Sequence, residues 1–234
     1  MEIKDIHGFE VKSEEQFLDI QNNLFKKIRL INNFKKEKIH FCAGADLAYW
    51  EMDGEQYGVC SIVVIDYKTK EMVEKVYSHG KISTPYVAGF LAFRELPLII
   101  EAAKKLTLEP DIFVFDGNGY LHFNHMGVAT HASFFLNKPT IGAAKSYLKV
   151  RGADFQMPGD DEGSYSDIVI NGEVYGRVLR TSKGVKPIFI SCGNYIDLET
   201  CTEIVAKLVN KESRLPIPVR LAHLETHLMR NELK

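Results

Sequence analysis

The sequence lacks the features of a membrane protein, a secreted protein or a protein with a cysteine-ligated metal site. No apolar run approaches the roughly 18 residues that cross a bilayer, and the charged N-terminal segment has no apolar core like that of a signal peptide. The four cysteines have no metal-ligand spacing, which favours buried free thiols in a reducing compartment, so we expect a cytoplasmic protein. The net charge of −2 argues against non-specific electrostatic binding along a polyanion, although a local basic patch would suffice to bind nucleic acid.

The 234 residues contain apolar segments whose order suits a single domain, residues 1–234. Ser13 caps an amphipathic helix predicted to run to about residue 34. Short polar links then predict antiparallel hairpins between three β-like runs, at residues 39–50, 57–67 and 72–80. Helices and strands alternate after them, at residues 90–106, 112–115, 128–136 and 140–143. This order predicts an α/β fold with a ribonuclease-H-like mixed β-sheet flanked by helices.

Three acidic residues occupy positions that this strand order brings together. Asp46 lies inside the first strand, Glu95 on the helix after the third strand, and Asp116 at the end of the fourth. The first and fourth strands are neighbours in such a sheet, so the carboxylates repel unless hard cations such as Mg²⁺ or Mn²⁺ hold them. A site of this kind suits phosphoryl transfer from water. Each residue alone also has a structural interpretation: a salt bridge for Asp46, a helix-surface position for Glu95 and a turn cap for Asp116.

Six sequence blocks occur together over about residues 41–226: GADLAYW, TPYVAGFLAFRELP, the Asp116-Gly-Asn-Gly block, PTIGAAKSYL, GRVLRTSKGVKPIFIS and RLPIPVRLAHLET. They resemble the endonuclease V family, the deoxyinosine 3′-endonucleases. The resemblance implies a metal-dependent DNA-repair enzyme that uses Mg²⁺, with Mn²⁺ as a substitute. Such an enzyme hydrolyses the second phosphodiester bond 3′ to hypoxanthine and leaves 5′-phosphate and 3′-hydroxyl ends.

The resemblance also implies roles for five residues at the reacting phosphate. Asp46, Glu95 and Asp116 match the metal-binding carboxylates, and Lys145 and His223 match the catalytic cation and imidazole. An ammonium can hold the charge of the transition state, and an imidazole can orient or deprotonate water. Without the resemblance, Lys145 would be interpreted as a solvated lysine and His223 as a core or surface histidine.

A pocket for an extruded base is the second implication of the resemblance. An aromatic ring on a wedge loop can stack where a base leaves the duplex, and glycines let the backbone approach that base closely. The matching residues are Tyr86, Gly89, Gly117, His122 and Gly127. Considered singly, the tyrosine could pack on the core and the glycines could serve turns or packing.

The chain departs from the family pattern at two places. Ala88 stands where the wedge loop usually has a second proline, which predicts a less rigid loop. Residues 123–125, Phe-Asn-His, replace a proline and two arginines, so backbone affinity or the preference between DNA and RNA can differ. An inosine-directed endoribonuclease and a non-catalytic inosine-binding protein are therefore the alternatives.

The expected partner is nucleic acid, bound by a monomer without any membrane contact. Basic residues late in the chain are candidate phosphate contacts, although charge runs more often form solvated faces. They are Arg177, Arg180, Lys183, Lys186, Arg214 and Arg220.

Overall fold

The computed structural model describes residues 1–10 and 13–234, and a single mixed sheet dominates it. In this described part the strands are Phe41–Met52 (β1), Glu55–Asp66 (β2), Met72–Lys81 (β3), Ile112–Phe115 (β4), Thr140–Ala144 (β5), Ala153–Asp154 (β6), Tyr165–Ile170 (β7), Glu173–Leu179 (β8) and Ile188–Asn194 (β9). Their order across the sheet is β3-β2-β1-β4-β5-β9-β8-β7-β6. The predicted α/β class with a mixed sheet is confirmed.

Five α-helices accompany the sheet among the described residues. They are Glu14–Phe25 (α1), Leu91–Ala103 (α2), Val128–Leu136 (α3), Leu198–Lys207 (α4) and Ile217–Leu233 (α5), with a short 3-10 helix at Lys36–Lys38. No helix in residues 1–10 and 13–234 is long and apolar enough to cross a membrane. All four cysteines are buried and free, as their apolar surroundings predicted.

The first helix begins where predicted but ends earlier. Ser13 and Gln16 form the expected capping box, in which the Ser13 N–H donates to Gln16 Oε1 at 2.9 Å. The helix stops at Phe25 because the backbone that follows bonds elsewhere: the Tyr195 N–H donates to the Arg29 carbonyl at 2.7 Å. The predicted extension to residue 34 is wrong because these tertiary bonds override the apolar periodicity.

The first and fourth strands are neighbours, as their order along the chain predicted. β1 and β2 form a hairpin through Asp53 and Gly54, both with positive φ, and β3 continues the antiparallel meander. β1 also pairs in parallel with β4, with Ala45 opposite Phe115. The sheet centre therefore carries the ends of both strands on which the predicted carboxylates lie.

Two apolar layers cover the faces of the sheet. On one face α2 and α3 enclose a core with Leu96 and Phe113, and on the other α4 and α5 enclose a core with Ile190 and Val219. The first turn of α5 lies directly on β1, because a Cβ at Gly44 would come within 2.1 Å of the Pro218 carbonyl carbon. This close approach brings the side chains of α5 to the centre of the sheet.

Candidate active site

Asp46 and Asp116 lie side by side because of the parallel pairing between β1 and β4. The Asp116 N–H donates to the Ala45 carbonyl at 3.1 Å, one residue before Asp46. Asp46 is only 8% exposed, and Asp116 is half-buried. Burial raises the pKa of Asp46, and the negative charge of the neighbouring Asp116 raises it further.

Helix α5 contributes two further partners of Asp46. His223 Nδ1 lies 3.0 Å from Asp46 Oδ2, and the Thr226 hydroxyl donates to the same oxygen at 3.0 Å. A carboxylate accepts hydrogen bonds, so Nδ1 carries the hydrogen and Nε2 is the acceptor of a neutral ring. Asp46 therefore fixes both the orientation and the tautomer of His223.

Lys145, which follows β5, neutralises part of this acidic centre. Its Nζ lies 2.5 Å from Asp116 Oδ2, and the pair is partly open to solvent. The same Nζ is 3.5 Å from His223 Nδ1, but that nitrogen already donates to Asp46, so the second contact is one of proximity. The predicted catalytic lysine and histidine thus meet the two aspartates at one place.

Glu95 reaches the site from α2 through a buried position. Its side chain is 8% exposed, and the Tyr49 hydroxyl donates to its Oε1 at 2.7 Å. The pKa of Glu95 is raised to about 7: burial is the largest cause, the hydrogen bond from Tyr49 opposes it, and the charges of Asp46 and Asp116 add to it. The helix-surface interpretation of Glu95 is wrong because α2 turns this residue towards the sheet.

The acidic centre has the composition of a metal site. Among the described residues, the ligand atoms of Asp46, Asp116 and His223 all lie within 4.8 Å of one another. Glu95 is outside this tightest group, although the charges of both aspartates raise the pKa of its carboxyl. Crowded carboxylates of raised pKa suit a bound cation, which would relieve their repulsion, and oxygen ligands favour hard ions.

All five residues predicted to bind the substrate line one cavity beside this centre. Its volume is about 70 Å³, and Asn118, Met126 and Leu148 complete its walls with residues of α2 and α3. Tyr86 is 69% exposed at its rim, which excludes the interpretation of this ring as a core residue. The predicted residues that meet here are Tyr86, Gly89, Gly117, His122 and Gly127.

Each of the three positions in the cavity requires a glycine for its own structural reason. Gly89 has a φ of +89°, a conformation that side chains with a Cβ rarely adopt. A Cβ at Gly127 would lie 2.3 Å from the Asn118 carbonyl oxygen, and one at Gly117 would lie 2.7 Å from a Val128 methyl. Gly117 and Gly127 therefore allow the segment after β4 to pack closely against the start of α3 in the wall of the cavity.

His122 is a buried, neutral wall residue. Its pKa is lowered to about 4, mainly by burial and to a smaller extent by the neighbouring His125. Its Nδ1 accepts hydrogen bonds from the backbone N–H groups of Asn124 at 3.2 Å and Met126 at 3.4 Å. The ring therefore holds the loop of residues 122–126 in shape, with its hydrogen on Nε2.

Comparisons with known proteins agree with this geometry. A sequence model of endonuclease V matches residues 22–224. Endonuclease V of Clostridium acetobutylicum is 67% identical over 233 residues and covers 100% of both chains. The chain belongs to the endonuclease V family.

Solved structures of the family share the fold. The crystal structure of Bacillus subtilis endonuclease V is 64% identical, with a TM-score of 0.96 and coverage of 100% of this chain and 98% of that one. Ciona intestinalis endonuclease V, in complex with a 24-mer DNA containing an inosine followed by a ribo-adenosine, is 28% identical. Its TM-score is 0.84, with 94% of this chain and 98% of that one covered. The chain is thus an endonuclease with the family architecture.

All four arginines expected to contact phosphate are engaged within the protein: Arg214 donates to the Pro187 carbonyl, and Arg220 pairs with Glu212. Arg177 donates to Asp167, Glu199 and Thr202 from a buried position. Arg180 donates to the backbone carbonyls of residues 158, 159 and 185. Arg177 and Arg180 hold the β8 region together. Among the six basic residues, Lys183 and Lys186 are the most exposed.

Sequence reasoning missed several residues around the site. Thr226 follows His223 by three residues on α5, a spacing that places both on one helical face. Tyr49 follows Asp46 by three residues in β1 and so points to the opposite face, where α2 carries Glu95. Only the pairing of these elements in space could identify them as partners of the acidic residues.

Proposed function

We propose that this protein is a metal-dependent endonuclease that recognises deoxyinosine in DNA and hydrolyses the second phosphodiester bond 3′ to the lesion. The products would be 5′-phosphate and 3′-hydroxyl ends, and the role would be DNA repair. The Ciona intestinalis relative, whose crystal structure contains inosine-bearing DNA, supports this substrate class. Family membership over nearly the whole chain supports the activity.

One observation carries the proposal: two consecutive residues of the chain belong one to the acidic centre and the other to the cavity. Asp116 belongs to the candidate metal group, and Gly117 lines the cavity. A base held in the cavity would therefore keep the backbone of its own strand beside the acidic centre. This arrangement fits an enzyme that recognises a base and cuts a nearby phosphodiester bond of the same strand.

His223, Lys145 and Tyr86 would have separate roles in the proposed reaction. His223, with Nδ1–H bound by Asp46, presents Nε2 as an acceptor that can orient the attacking water or take its proton. Lys145 supplies a positive charge for the phosphate at the moment its negative charge grows. Tyr86 would stack where the base has left the duplex, and the cavity would hold the base itself.

We assign the metal to the carboxylates Asp46, Glu95 and Asp116. The ion we propose is Mg²⁺, with Mn²⁺ as a substitute, because carboxylate oxygens and water suit both. A divalent ion bound there supplies a more acidic water and neutralises phosphate charge. The raised pKa values of Asp46 and Glu95 support this assignment, since both carboxyls resist ionisation without a nearby cation.

We further propose that residues 1–234 act as one nuclease domain, as a monomer in the cytoplasm. The catalytic candidates all come from one chain, on β1, α2, α5 and the segments after β4 and β5. The same sheet continues without interruption from β3 to β6, which supports one folding unit.

The test is a cleavage assay with three inosine-containing substrates: single-stranded RNA, single-stranded DNA and duplex DNA. Each is incubated with Mg²⁺ and, separately, with EDTA, beside a matched oligonucleotide carrying guanine at the same position. We expect cutting of inosine DNA in Mg²⁺ only, with product ends mapped on a sequencing gel. Mn²⁺ should restore cutting after EDTA treatment.

The other functions give different results in the same assay. Cutting of RNA alone would favour an inosine-directed endoribonuclease, which the ribo-adenosine in the Ciona intestinalis complex makes a specific second candidate. No cutting of any of the three substrates would favour a non-catalytic inosine-binding protein. Equal cutting of inosine and guanine oligonucleotides would contradict recognition of the deaminated base.

A further inference from the structure

A fully buried amide connects the two loops that form the walls of the cavity. Gln21 of α1 is 0% exposed, and its Nε2 donates to the Gly89 carbonyl at 2.9 Å. Its Oε1 accepts a hydrogen bond from Asn124 Nδ2 at 2.9 Å. One side chain from outside the cavity thus ties residue 89 to the loop of residues 122–126.

Both loops depend on such buried bonds for their position. The loop of residues 82–90 carries the exposed Tyr86, and Gly89 lies near its end with a φ of +89°. Its other end is held by Arg94, a buried residue whose guanidinium donates to the Thr84 carbonyl at 2.9 Å. Ala88 supplies no proline rigidity, so the two buried anchors restrain this loop.

The packing of α1 alone gives no reason for an amide at this position. The other buried residues of the helix are Phe17 and Leu24, both apolar. A buried amide is unfavourable unless its donor and acceptor are bonded, and here the bonded partners belong to the two cavity loops. The polar character of Gln21 therefore serves the spacing of these loops.

We propose that Gln21 is a positioning residue that sets the spacing between the Tyr86 loop and the loop of residues 122–126, and thereby the selectivity of the cavity for its base. The inference rests on the proposed recognition of inosine. Without the link the two loops move independently, and base binding must then order them. We expect the loss in affinity and base selectivity, because both hydrogen bonds of the Gln21 side chain end on the cavity loops.

The test compares Gln21→Met with Asn22→Met, a matched change at the adjacent exposed position of α1. Fluorescence anisotropy in EDTA gives the Kd for an inosine oligonucleotide and for its guanine counterpart. We expect Gln21→Met to raise the inosine Kd about tenfold, equivalent to about 1.4 kcal/mol, and to reduce the inosine-to-guanine preference. Single-turnover cleavage at saturating enzyme should change less than about threefold, and Asn22→Met should match the parent.

A second variant approaches the same link from its other end. Asn124→Ala removes the donor to Gln21 Oε1 from a half-buried position, so it tests the inference even if Gln21→Met fails to fold in a thermal melt. The two substitutions remove one link, and their effects on Kd should be less than multiplicative in the double variant. Unchanged Kd and preference in folded Gln21→Met, or in Asn124→Ala, would overturn the inference.

The parent protein separates this inference from the proposed function. A parent that binds inosine and guanine oligonucleotides equally contradicts the proposed recognition itself. A parent that discriminates, with variants that discriminate equally well, overturns only the role of Gln21. A fall in single-turnover rate as large as the rise in Kd would assign Gln21 to general structural support instead.

Discussion

Replacing Glu95 by glutamine should stabilise the metal-free protein at neutral pH. The pKa of Glu95 is raised from 4.5 to about 7, with burial as the largest cause and the charges of Asp46 and Asp116 acting in the same direction. Glutamine has nearly the same shape and keeps an oxygen that can accept the hydrogen bond from Tyr49. The substitution therefore removes the penalty of ionising a buried carboxyl while leaving its packing in place.

The size of the effect follows from the two pKa values. A group whose folded pKa lies above its unfolded pKa lends full stability below pH 4.5, and this stability is lost as pH rises through about 7. A difference of about 2.5 units corresponds to about 3 kcal/mol at pH 7.5. For a chain of this length that is roughly 6–12 °C in Tm.

The assay is thermal and urea denaturation in EDTA at pH 5 and pH 7.5. We expect Glu95→Gln to exceed the parent clearly at pH 7.5, with the gap largely closed at pH 5. Glu101→Gln, at an exposed position of the same helix, serves as the control and should differ little at either pH. A gap that is absent at pH 7.5, or equal at both pH values, would refute a buried, destabilising carboxyl at position 95.

Four other predictions concern catalysis and binding. Asp46→Asn should abolish cleavage yet retain measurable binding to inosine DNA; full activity would contradict the metal-site assignment. Tyr86→Ala should weaken duplex binding roughly tenfold, as loss of base stacking implies, and an unchanged Kd would exclude a wedge role. Tyr49→Phe removes the donor to Glu95 and should raise the Mg²⁺ concentration for half-maximal cleavage about tenfold, with binding in EDTA unaltered. Log affinity should fall steeply with log salt concentration, and a flat plot would argue against phosphate contacts.

The fold was predictable as far as local patterns and strand order determine it. Short polar links predicted the β1–β3 meander, and the strand at residues 112–115 is entirely buried, as its apolar run implied. The neighbouring positions of β1 and β4 followed from that order, so the meeting of Asp46 and Asp116 was predictable. The end of α1 was not, because bonds to Tyr195 far along the chain stop it.

The supporting residues of the site escaped prediction for a different reason. Thr226, Tyr49 and Gln21 act through one or two hydrogen bonds to partners more than 40 residues away in sequence. A hydroxyl or amide of this kind has no periodicity or spacing that separates it from a surface residue. Their roles depend on the packing of α5, α2 and α1 against the sheet and its loops.

The glycines after Asp116 show which part of the site can vary. A Cβ at Gly119 would lie 2.2 Å from the Cys192 carbonyl oxygen, and one at Gly142 would lie 2.4 Å from the Gly119 nitrogen. The backbone that follows Asp116 is therefore wedged between β5 and β9, and the wall of the cavity next to the acidic centre is fixed by packing. Residues 123–125 are held by side-chain contacts instead of backbone packing: Phe123 is exposed, Asn124 is bonded to Gln21, and His125 stacks on Tyr120. Differences in base or sugar preference within the family should therefore arise in this outer loop, while the inner wall and the carboxylates keep one geometry.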